Sequence, residues 1–259
     1  MVYHQTLQRS RYELKYLISE DVAASVRNFV RQYLDVDDYA DRSAGNAYAV
    51  HSLYLDSPGL MLFYSTVHGL RNRFKLRIRF YDNDPQHPAY LEIKRRLSDV
   101  ILKERAAVTR EAARQLLTGA WLDRGSLIGG NGDPRAAAAL HNFTKLTHEI
   151  NAQGCVYVSY IREAYVSPGS NQVRVTFDRQ LCAARYISPA PLAVPYETVP
   201  VVLDPPVILE LKFTDRFPDW MRDLVEMFNL WRRSVAKYIY CLRTVGAPWG
   251  SGAEMEVAT

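Results

Sequence analysis

Cysteine is scarce in this chain, and signals for export or membrane insertion are absent. The three cysteines, Cys155, Cys182 and Cys241, stand alone, with no CxxC spacing. This excludes a zinc ribbon and a disulfide scaffold, since both need cysteines in pairs. The first residues show no signal-peptide pattern, and no apolar run reaches the roughly 18 residues of a transmembrane helix. We therefore expect a cytoplasmic protein and leave open its association with a membrane through an integral-membrane partner.

The chain also has little excess of charge of either sign. Its 259 residues carry a formal net charge of +4, too little for a protein that coats nucleic acid along its whole surface. The apolar fraction of 48% is enough for a real core, and no repeat or low-complexity tract interrupts the chain. We predict a single domain over residues 1–259, with a core at about 11–245 and a disordered tail at 246–259.

One segment, RNRFKLRIRF, has a positive charge at every second position. Period-two alternation is typical of a β-strand, whose successive side chains point to opposite faces. Like charges on one face repel, so an anionic group is expected opposite them. The basic residues are Arg71, Arg73, Lys75, Arg77 and Arg79. The apolar residues that alternate with them are Phe74, Leu76, Ile78 and Phe80.

Six further segments repeat the pattern of charge on one side and apolar residues on the other. In an open sheet the charged faces would meet bulk water, whereas a closed barrel would enclose them and amphipathic helices would cover the apolar outside. Because uncompensated buried cations are costly, the surplus of Arg and Lys favours a barrel around water or a polyanion. We predict an α+β fold with a closed antiparallel β-barrel and helices packed on its outside. The segments are RYELKY, YLEIKRR, VILKERAAV, VYVSYIREAYV, QVRVTFDR and VILELKF.

Helices are predicted from caps and periodicity. Ser19 is a candidate N-cap before Glu20 and Asp21, and Ser57 is another, with Pro58 at the first helical position. Further helices are predicted in TREAARQLL, PRAAAALHNFTKLTHEI, FPDWMRDLVEMFNL and RRSVAKYIYCLRTV.

Taken in order, the segments RYELKY, LRIRFYD, LEIKRR, YIREAY, VRVTFD, ILELKF and RRSVAKY resemble the VTC domain, the catalytic domain of the vacuolar transporter chaperone. This is a polyphosphate polymerase of the triphosphate tunnel metalloenzyme superfamily. The resemblance implies a barrel of about eight strands. It also implies ATP and polyphosphate as ligands, Mn²⁺ or Mg²⁺ as cofactor, and transfer of the γ-phosphate of ATP to a growing polyphosphate chain.

The resemblance also implies site residues. Glu210 matches the metal-binding glutamate, with Glu13, Glu92 and Asp178 as weaker candidates for the outer shell of the metal or for structural salt bridges. The residues expected to carry the chemistry are Arg77, Arg79, Lys94, Lys237 and Glu210. The residues expected to bind substrate are Lys15, Lys75, Arg77, Arg79, Lys94, Lys103, Tyr160, Arg162, Arg174, Lys212 and Lys237.

Two departures from the superfamily pattern bear on the reaction. Tunnel hydrolases commonly begin with Glu-x-Glu-x-Lys, but Arg11 replaces the first Glu, which favours the polymerase branch. The closing helix often reads Ser-Lys-Tyr, whereas Ala236 stands here in place of the serine. A triphosphate hydrolase remains the alternative, followed by a module that only binds polyphosphate. Nucleic acid is not expected as a partner, since the same-face neighbours of Arg77 are charged and not aromatic. The oligomeric state is left open.

Overall fold

The computed structural model describes residues 11–40, 45–98, 100–129, 133–170, 172–188 and 190–247. These residues form one ten-stranded sheet and six α-helices. The strands are β1 (Arg11–Ile18), β2 (Asp35–Val36), β3 (Ala47–Asp56), β4 (Asn72–Phe80), β5 (Ala89–Leu97), β6 (Val100–Val108), β7 (Gln153–Val166), β8 (Val173–Arg185), β9 (Val199–Pro200) and β10 (Val207–Thr214). The helices are α1 (Glu20–Val30), α2 (Met61–Val67), α3 (Arg110–Leu117), α4 (Pro134–Glu149), α5 (Asp219–Met227) and α6 (Lys237–Val245).

The strands follow the order β1-β10-β8-β7-β3-β4-β5-β6, with β2 beside β7 and β9 beside β8. The register gathers charged and polar side chains on one face, for example Arg77 between Tyr54 and Glu92. The carboxylate of Glu13 on β1 accepts hydrogen bonds from Lys94 Nζ on β5 at 3.0 and 2.9 Å. Because β1 and β5 lie near opposite ends of the strand order, the sheet must curl with this face inside. We call the enclosed space the channel.

The predicted α+β architecture is confirmed, but the prediction that the strands close into a barrel is wrong. Cα atoms of β1 and β6 approach within 8 Å, yet no ladder joins these strands in the described part of the chain. The edge of β1 has another partner, since Arg233 N donates to Lys15 O at 2.8 Å and Arg232 forms a β-bridge with Tyr16. We call the gap between β1 and β6 the seam. Side chains cross it, as in the contact between Lys94 and Glu13.

The outer face is apolar and covered by helices, as the alternation predicts. Leu76, Ile78 and Phe80 of β4 are fully buried in a cluster with side chains of α3 and α4. A second outer cluster joins α1 and α5 to β8 and β10. A third cluster, which joins α2 and α6 to β3 and β7, lies on the inner face, since it contains Tyr54 and Tyr160. Burial of apolar surface on the outer face therefore holds the sheet in shape, while the inner face carries the polar groups and this third cluster.

Caps explain where the helices begin and why two predicted starts are wrong. Ser19 Oγ accepts from Val22 N at 3.3 Å, so the predicted cap of α1 is confirmed. In contrast, residues 57–60 form a turn, and Leu60 has a left-handed φ of 55° immediately before α2. The predicted helix RRSVAKYIYCLRTV begins only at Lys237, because the residues before it lie along β1.

Two expectations concern the membrane and the tail. Within the described ranges, no helix is long and apolar enough to cross a bilayer, and α4, the longest, has 16 residues. Most of the predicted tail, residues 248–259, lies outside the described residues.

Candidate active site

The channel contains the side chains that the sequence predicts for the site, contributed by seven strands and the first residue of α6. The members are Lys15 on β1, Lys75, Arg77 and Arg79 on β4, Lys94 on β5, Lys103 on β6, Tyr160 and Arg162 on β7, Arg174 on β8, Glu210 and Lys212 on β10, and Lys237 on α6. Their contacts divide them into two carboxylate-centred clusters, a row of lysines and residues at the two ends of the channel.

The first cluster surrounds Glu210, whose exposure is 3%. A second carboxylate, that of Asp178, belongs to this cluster. It lies 2.6 Å from Lys237 and accepts two hydrogen bonds of 2.7 Å from Arg162. Burial opposes ionisation of Glu210, but Lys15, Lys212 and Lys237 outweigh it and hold the pKa well below its ordinary value. Glu210 is therefore a carboxylate at neutral pH. Its cation contacts are Lys212 at 2.6 Å, Lys237 at 2.7 Å, Lys15 at 3.2 Å and Arg162 at 3.3 Å.

The second cluster surrounds Glu92, whose exposure is 1%. Arg77 Nη2 lies 2.7 Å and Lys103 Nζ 2.6 Å from this carboxylate, with Arg105 at 3.4 Å and Arg79 at 3.9 Å. Burial raises the pKa of Glu92, but Arg77, Arg79 and Lys103 lower it well below its usual value. The structure thus pairs Glu92 with cations, the second of the two roles that the sequence leaves open.

Tyr160 joins the two clusters. Arg79 Nη2 donates to its hydroxyl at 3.3 Å, while Lys237 Nζ and Arg162 Cζ lie 4.9 and 5.2 Å from its ring centroid. Burial alone would raise the pKa of Tyr160, but Arg162, Arg79 and Lys237 lower it below its ordinary value. The phenol therefore lies within a strongly positive part of the channel.

A row of three lysines crosses β4, β5 and β6, where Lys75, Lys94 and Lys103 are directly opposite one another. Like charges in this position destabilise a sheet. Lys94 pairs with Glu13 and Lys103 with Glu92, but Lys75 has neither a hydrogen bond nor an ion pair among the described residues. Burial, Lys15 and Lys94 together lower the pKa of Lys75 well below its usual value. We call these three residues the lysine row.

Lys75 and Lys94 of the lysine row, together with Lys15, line a cavity of about 180 Å³ at one end of the channel. We call this end the basic mouth, and its further cations are Arg73, Arg96, Arg232 and Arg233. Arg232 and Arg233 precede α6 and line the cavity because their segment follows the edge of β1. An anion that enters here meets Lys75 and Lys94.

The opposite end is lined by aromatic residues, which the sequence analysis missed. Tyr81 directly follows β4 and Tyr90 lies at the start of β5, whereas Lys75 is near the other end of β4. Arg174, predicted to lie among the phosphate-binding residues, is held at this end by Asp37 and by Tyr48 Oη at 2.9 Å. Period two could have found Tyr90, which is two residues before Glu92. We call the set Tyr48, Tyr81, Tyr90 and Arg105 the tyrosine mouth.

Glu210, the residue expected to bind a metal, shares the ammonium group of Lys15 with Glu13. Lys15 Nζ lies 3.2 Å from Glu13 Oε1 and 3.2 Å from Glu210 Oε1, so a cation already occupies the position between them. No group of three or more metal-ligating side chains is present in the described part of the chain. Mg²⁺ is typically bound by one or two carboxylates together with substrate phosphates, so Glu13 and Glu210 fit such an ion.

Comparison with known proteins identifies one family. The family model for the VTC domain matches residues 10–245. No curated protein sequence matches the chain.

Three solved structures show limited similarity. A protein from Bacillus halodurans, provisionally described as an adenylate cyclase, is 10% identical with a TM-score of 0.48, covering 88% of this chain and 94% of its own. A protein from Vibrio parahaemolyticus with the same provisional description is 13% identical with a TM-score of 0.44, covering 90% and 97%. The PH1819 protein from Pyrococcus horikoshii OT3 is 13% identical with a TM-score of 0.39, covering 86% and 94%.

Proposed function

Since the chain belongs to the VTC domain family of the triphosphate tunnel superfamily, we propose that it is a metal-dependent polyphosphate polymerase. It transfers the γ-phosphate of ATP to a growing polyphosphate chain inside the channel. The observation that carries this proposal is the lysine row, in which Lys75 has no acidic partner among the described residues. Fixed positive charge without a partner suits a product that must stay bound as an extended polyanion.

The chemistry needs no nucleophile from the protein. Phosphoryl transfer requires in-line positioning of donor and acceptor and neutralisation of charge on the transferred group. A terminal phosphate oxygen of the acceptor chain attacks the γ-phosphorus, and ADP leaves. Arg77 and Arg79 suit this task because a guanidinium binds two phosphate oxygens at once in a fixed plane.

Lys237 supplies a second positioning group. Asp178 and Glu210 hold its ammonium at 2.6 and 2.7 Å, so its side chain loses little further freedom when a phosphate binds. These contacts hold the pKa of Lys237 above its ordinary value against the effect of burial, so it stays charged throughout the physiological range. In this proposal Lys237 fixes the γ-phosphate while the acceptor approaches.

A metal completes the site. Glu210 and Glu13 would hold Mn²⁺ or Mg²⁺, which supplies additional neutralisation of phosphate charge. Lys15, whose ammonium lies between these carboxylates, would then turn to a phosphate oxygen. Its flexible stem and three donors allow that movement.

A triphosphate hydrolase would use the same residues but pass the phosphoryl group to water. A hydrolase gains nothing from holding its product, whereas a polymerase needs to hold it until the next transfer. The cations of the basic mouth, which lie beyond the carboxylate clusters, therefore favour the polymerase.

Incubation of the purified protein with ATP and Mn²⁺ tests the proposal. Polyphosphate is resolved on a gel and orthophosphate is measured in the same tube. We expect a ladder of chain lengths with ADP, and loss of both with Arg77→Ala. Arg114→Ala is the matched control, because Arg114 is exposed on α3 and pairs with Glu111 of the same helix. Orthophosphate released in step with ADP, without a ladder, would identify a hydrolase instead.

A further inference from the structure

The tyrosine mouth is built differently from the rest of the channel. The rings of Tyr48 and Tyr81 lie 6.3 Å apart and those of Tyr81 and Tyr90 6.0 Å apart, both edge to face. Arg105 stacks on Tyr90, with Cζ 3.6 Å from the ring centroid. Aromatic faces and a planar guanidinium are the surfaces on which nucleobases stack in proteins.

A cavity of about 280 Å³ opens beside this cluster. Tyr90 and Arg105 form one part of its wall, Ala107, Ile128 and Ala136 form an apolar part, and Gly129 and Asp133 complete it. Small polar-edged rings bind in such mostly apolar cavities, where a few polar groups fix their orientation. The cavity is therefore chemically unlike the basic mouth, whose lining is mainly cationic.

The tyrosine mouth adjoins the phosphate-binding residues directly. Tyr90 is paired with Arg79 across β4 and β5, and Tyr48 with Arg162 across β3 and β7. A molecule that places a ring on Tyr90 can thus extend a chain of phosphates past Arg79 toward the carboxylate clusters. The order of the groups matches that of a nucleoside triphosphate, with its base at one end and its charge at the other.

We propose that the tyrosine mouth is the binding site for the nucleoside part of the phosphate donor. This inference rests on the proposed function and adds a direction to it. The base lies against Tyr81, Tyr90 and Arg105, the triphosphate points along the channel, and the acceptor chain extends through the basic mouth. Donor and acceptor then meet end to end at Lys237, as an in-line transfer requires.

A purely structural tyrosine cluster would look different. Tyr48 Oη bonds to Arg174 and Asp37, but the hydroxyls of Tyr81 and Tyr90 have no hydrogen-bond partner among the residues described. Tyr81 is 37% exposed, so its ring contributes little to the core. Buried Tyr hydroxyls usually find partners, and rings left half-exposed beside a cavity are available to a ligand.

Two ligands separate recognition of the nucleoside from recognition of phosphate. The dissociation constants of a non-hydrolysable ATP analogue and of inorganic tripolyphosphate are measured by calorimetry for the wild type, Tyr81→Leu, Tyr90→Leu and the double variant. Leucine keeps apolar bulk without the ring. Tyr33→Leu is the control, since Tyr33 is 42% exposed and stacks on Trp220 away from the channel.

We expect the double variant to bind the ATP analogue about tenfold more weakly and to bind tripolyphosphate unchanged, because each stacked ring contributes to base binding alone. Equal weakening for both ligands would mean that the tyrosines only shape the channel, and no weakening for either would mean that the base lies elsewhere. Each of these results overturns the inference but leaves the proposed function in place. A wild type that binds neither ligand overturns both.

Discussion

The Glu210 cluster and the lysine row lie in the same channel but differ in how far carboxylates balance their positive charge. Around Glu210, four cations share a buried carboxylate, and Asp178 binds two of them as well. In the lysine row, three ammonium groups face one another across adjacent strands, and Lys75 has no acidic partner in the described ranges. Each region nevertheless has the same alternating sequence pattern.

The difference separates charges that stabilise the empty channel from charges that await a ligand. A buried ion pair that loses one partner costs several kcal/mol, so the Glu210 cluster is needed before any substrate arrives. A row of like charges lowers stability and is tolerated only if an anion relieves it. Compensated cations position the reacting groups, whereas Lys75, the member of the row without an acidic partner among the described residues, supplies affinity for a polyanion.

The largest expected effect comes from removal of the shared carboxylate. In Glu210→Gln, four cations lose a shared buried carboxylate, and Lys212 loses its one acidic partner among the described residues, so the ligand-free protein should lose about 3–5 kcal/mol of unfolding free energy. This corresponds to a fall in Tm on the order of 10 °C. Turnover should collapse with the loss of a metal ligand, while triphosphate binding is retained because the cations remain. Thermal unfolding with and without tripolyphosphate checks the result.

Glu226→Gln is the matched control for this substitution, since Glu226 is exposed on α5. If both variants unfold at the wild-type temperature, Glu210 does not stabilise the channel, and the contrast between the two regions disappears.

A smaller effect, of opposite sign for stability, is expected in the lysine row. Lys75→Gln removes a repelling charge, so the ligand-free protein should be as stable as the wild type or slightly more stable. Affinity for tripolyphosphate should fall about tenfold with the loss of one charge-assisted contact. Lys145→Gln is the control, because Lys145 is exposed on α4 and pairs with Glu149. A less stable Lys75→Gln with unchanged affinity would show that this lysine is structural.

The smallest effect is a pH dependence of stability in the neighbourhood of the lysine row. Although Lys103 contacts Glu92, burial and the neighbouring Arg77 and Arg79 lower its pKa from 10.5 to about 7. The unfolded chain therefore binds more protons than the folded one between these values, and the stability contributed by Lys103 rises as pH increases across that window. Affinity for tripolyphosphate should decline over the same range, since the lysine loses its charge.

Urea unfolding of the ligand-free protein at pH 6 to 9 measures this dependence. Lys103→Arg keeps the charge at every pH tested and should make the rise shallower, because arginine does not deprotonate in this range. Lys75 and Lys212, whose pKa values are also lowered, continue to contribute to the rise. Lys237 is expected to contribute no change in stability over this pH range, since Asp178 and Glu210 raise its pKa. A rise that persists unaltered in Lys103→Arg would assign the effect to another group.

The alternation predicted much of the site because period two fixes faces without any knowledge of the fold. Arg77, Arg79 and Lys94 lie on the inner face, and Ile78 and Phe80 between and beside them are buried outside. The same pattern could not predict how charges pair. Glu92 collects cations from β4 and β6, and that choice depends on the register and curvature of three strands.

Closure was predicted wrongly for a related physical reason. The segment RRSVA has no strand-like alternation and precedes a helix, so its sequence favours continuation of α6. Its backbone instead pairs with β1 at Lys15 and Tyr16, a tertiary contact that local propensity does not encode. The tyrosine mouth was missed because Tyr48, Tyr81 and Tyr90 come from separate segments and carry no charge pattern.

The seam has one more consequence, which concerns self-association. Free edges of a sheet offer unpaired N–H and C=O groups to other chains and are a common route to aggregation. At the seam each edge is partly occupied, β1 by the bridge from Arg232 and β6 by Leu127, which is bridged to Val108. Ile128 N also donates to Ala107 O at 2.9 Å. The protein can therefore keep its sheet unclosed without presenting the full length of either edge as a template for a second molecule.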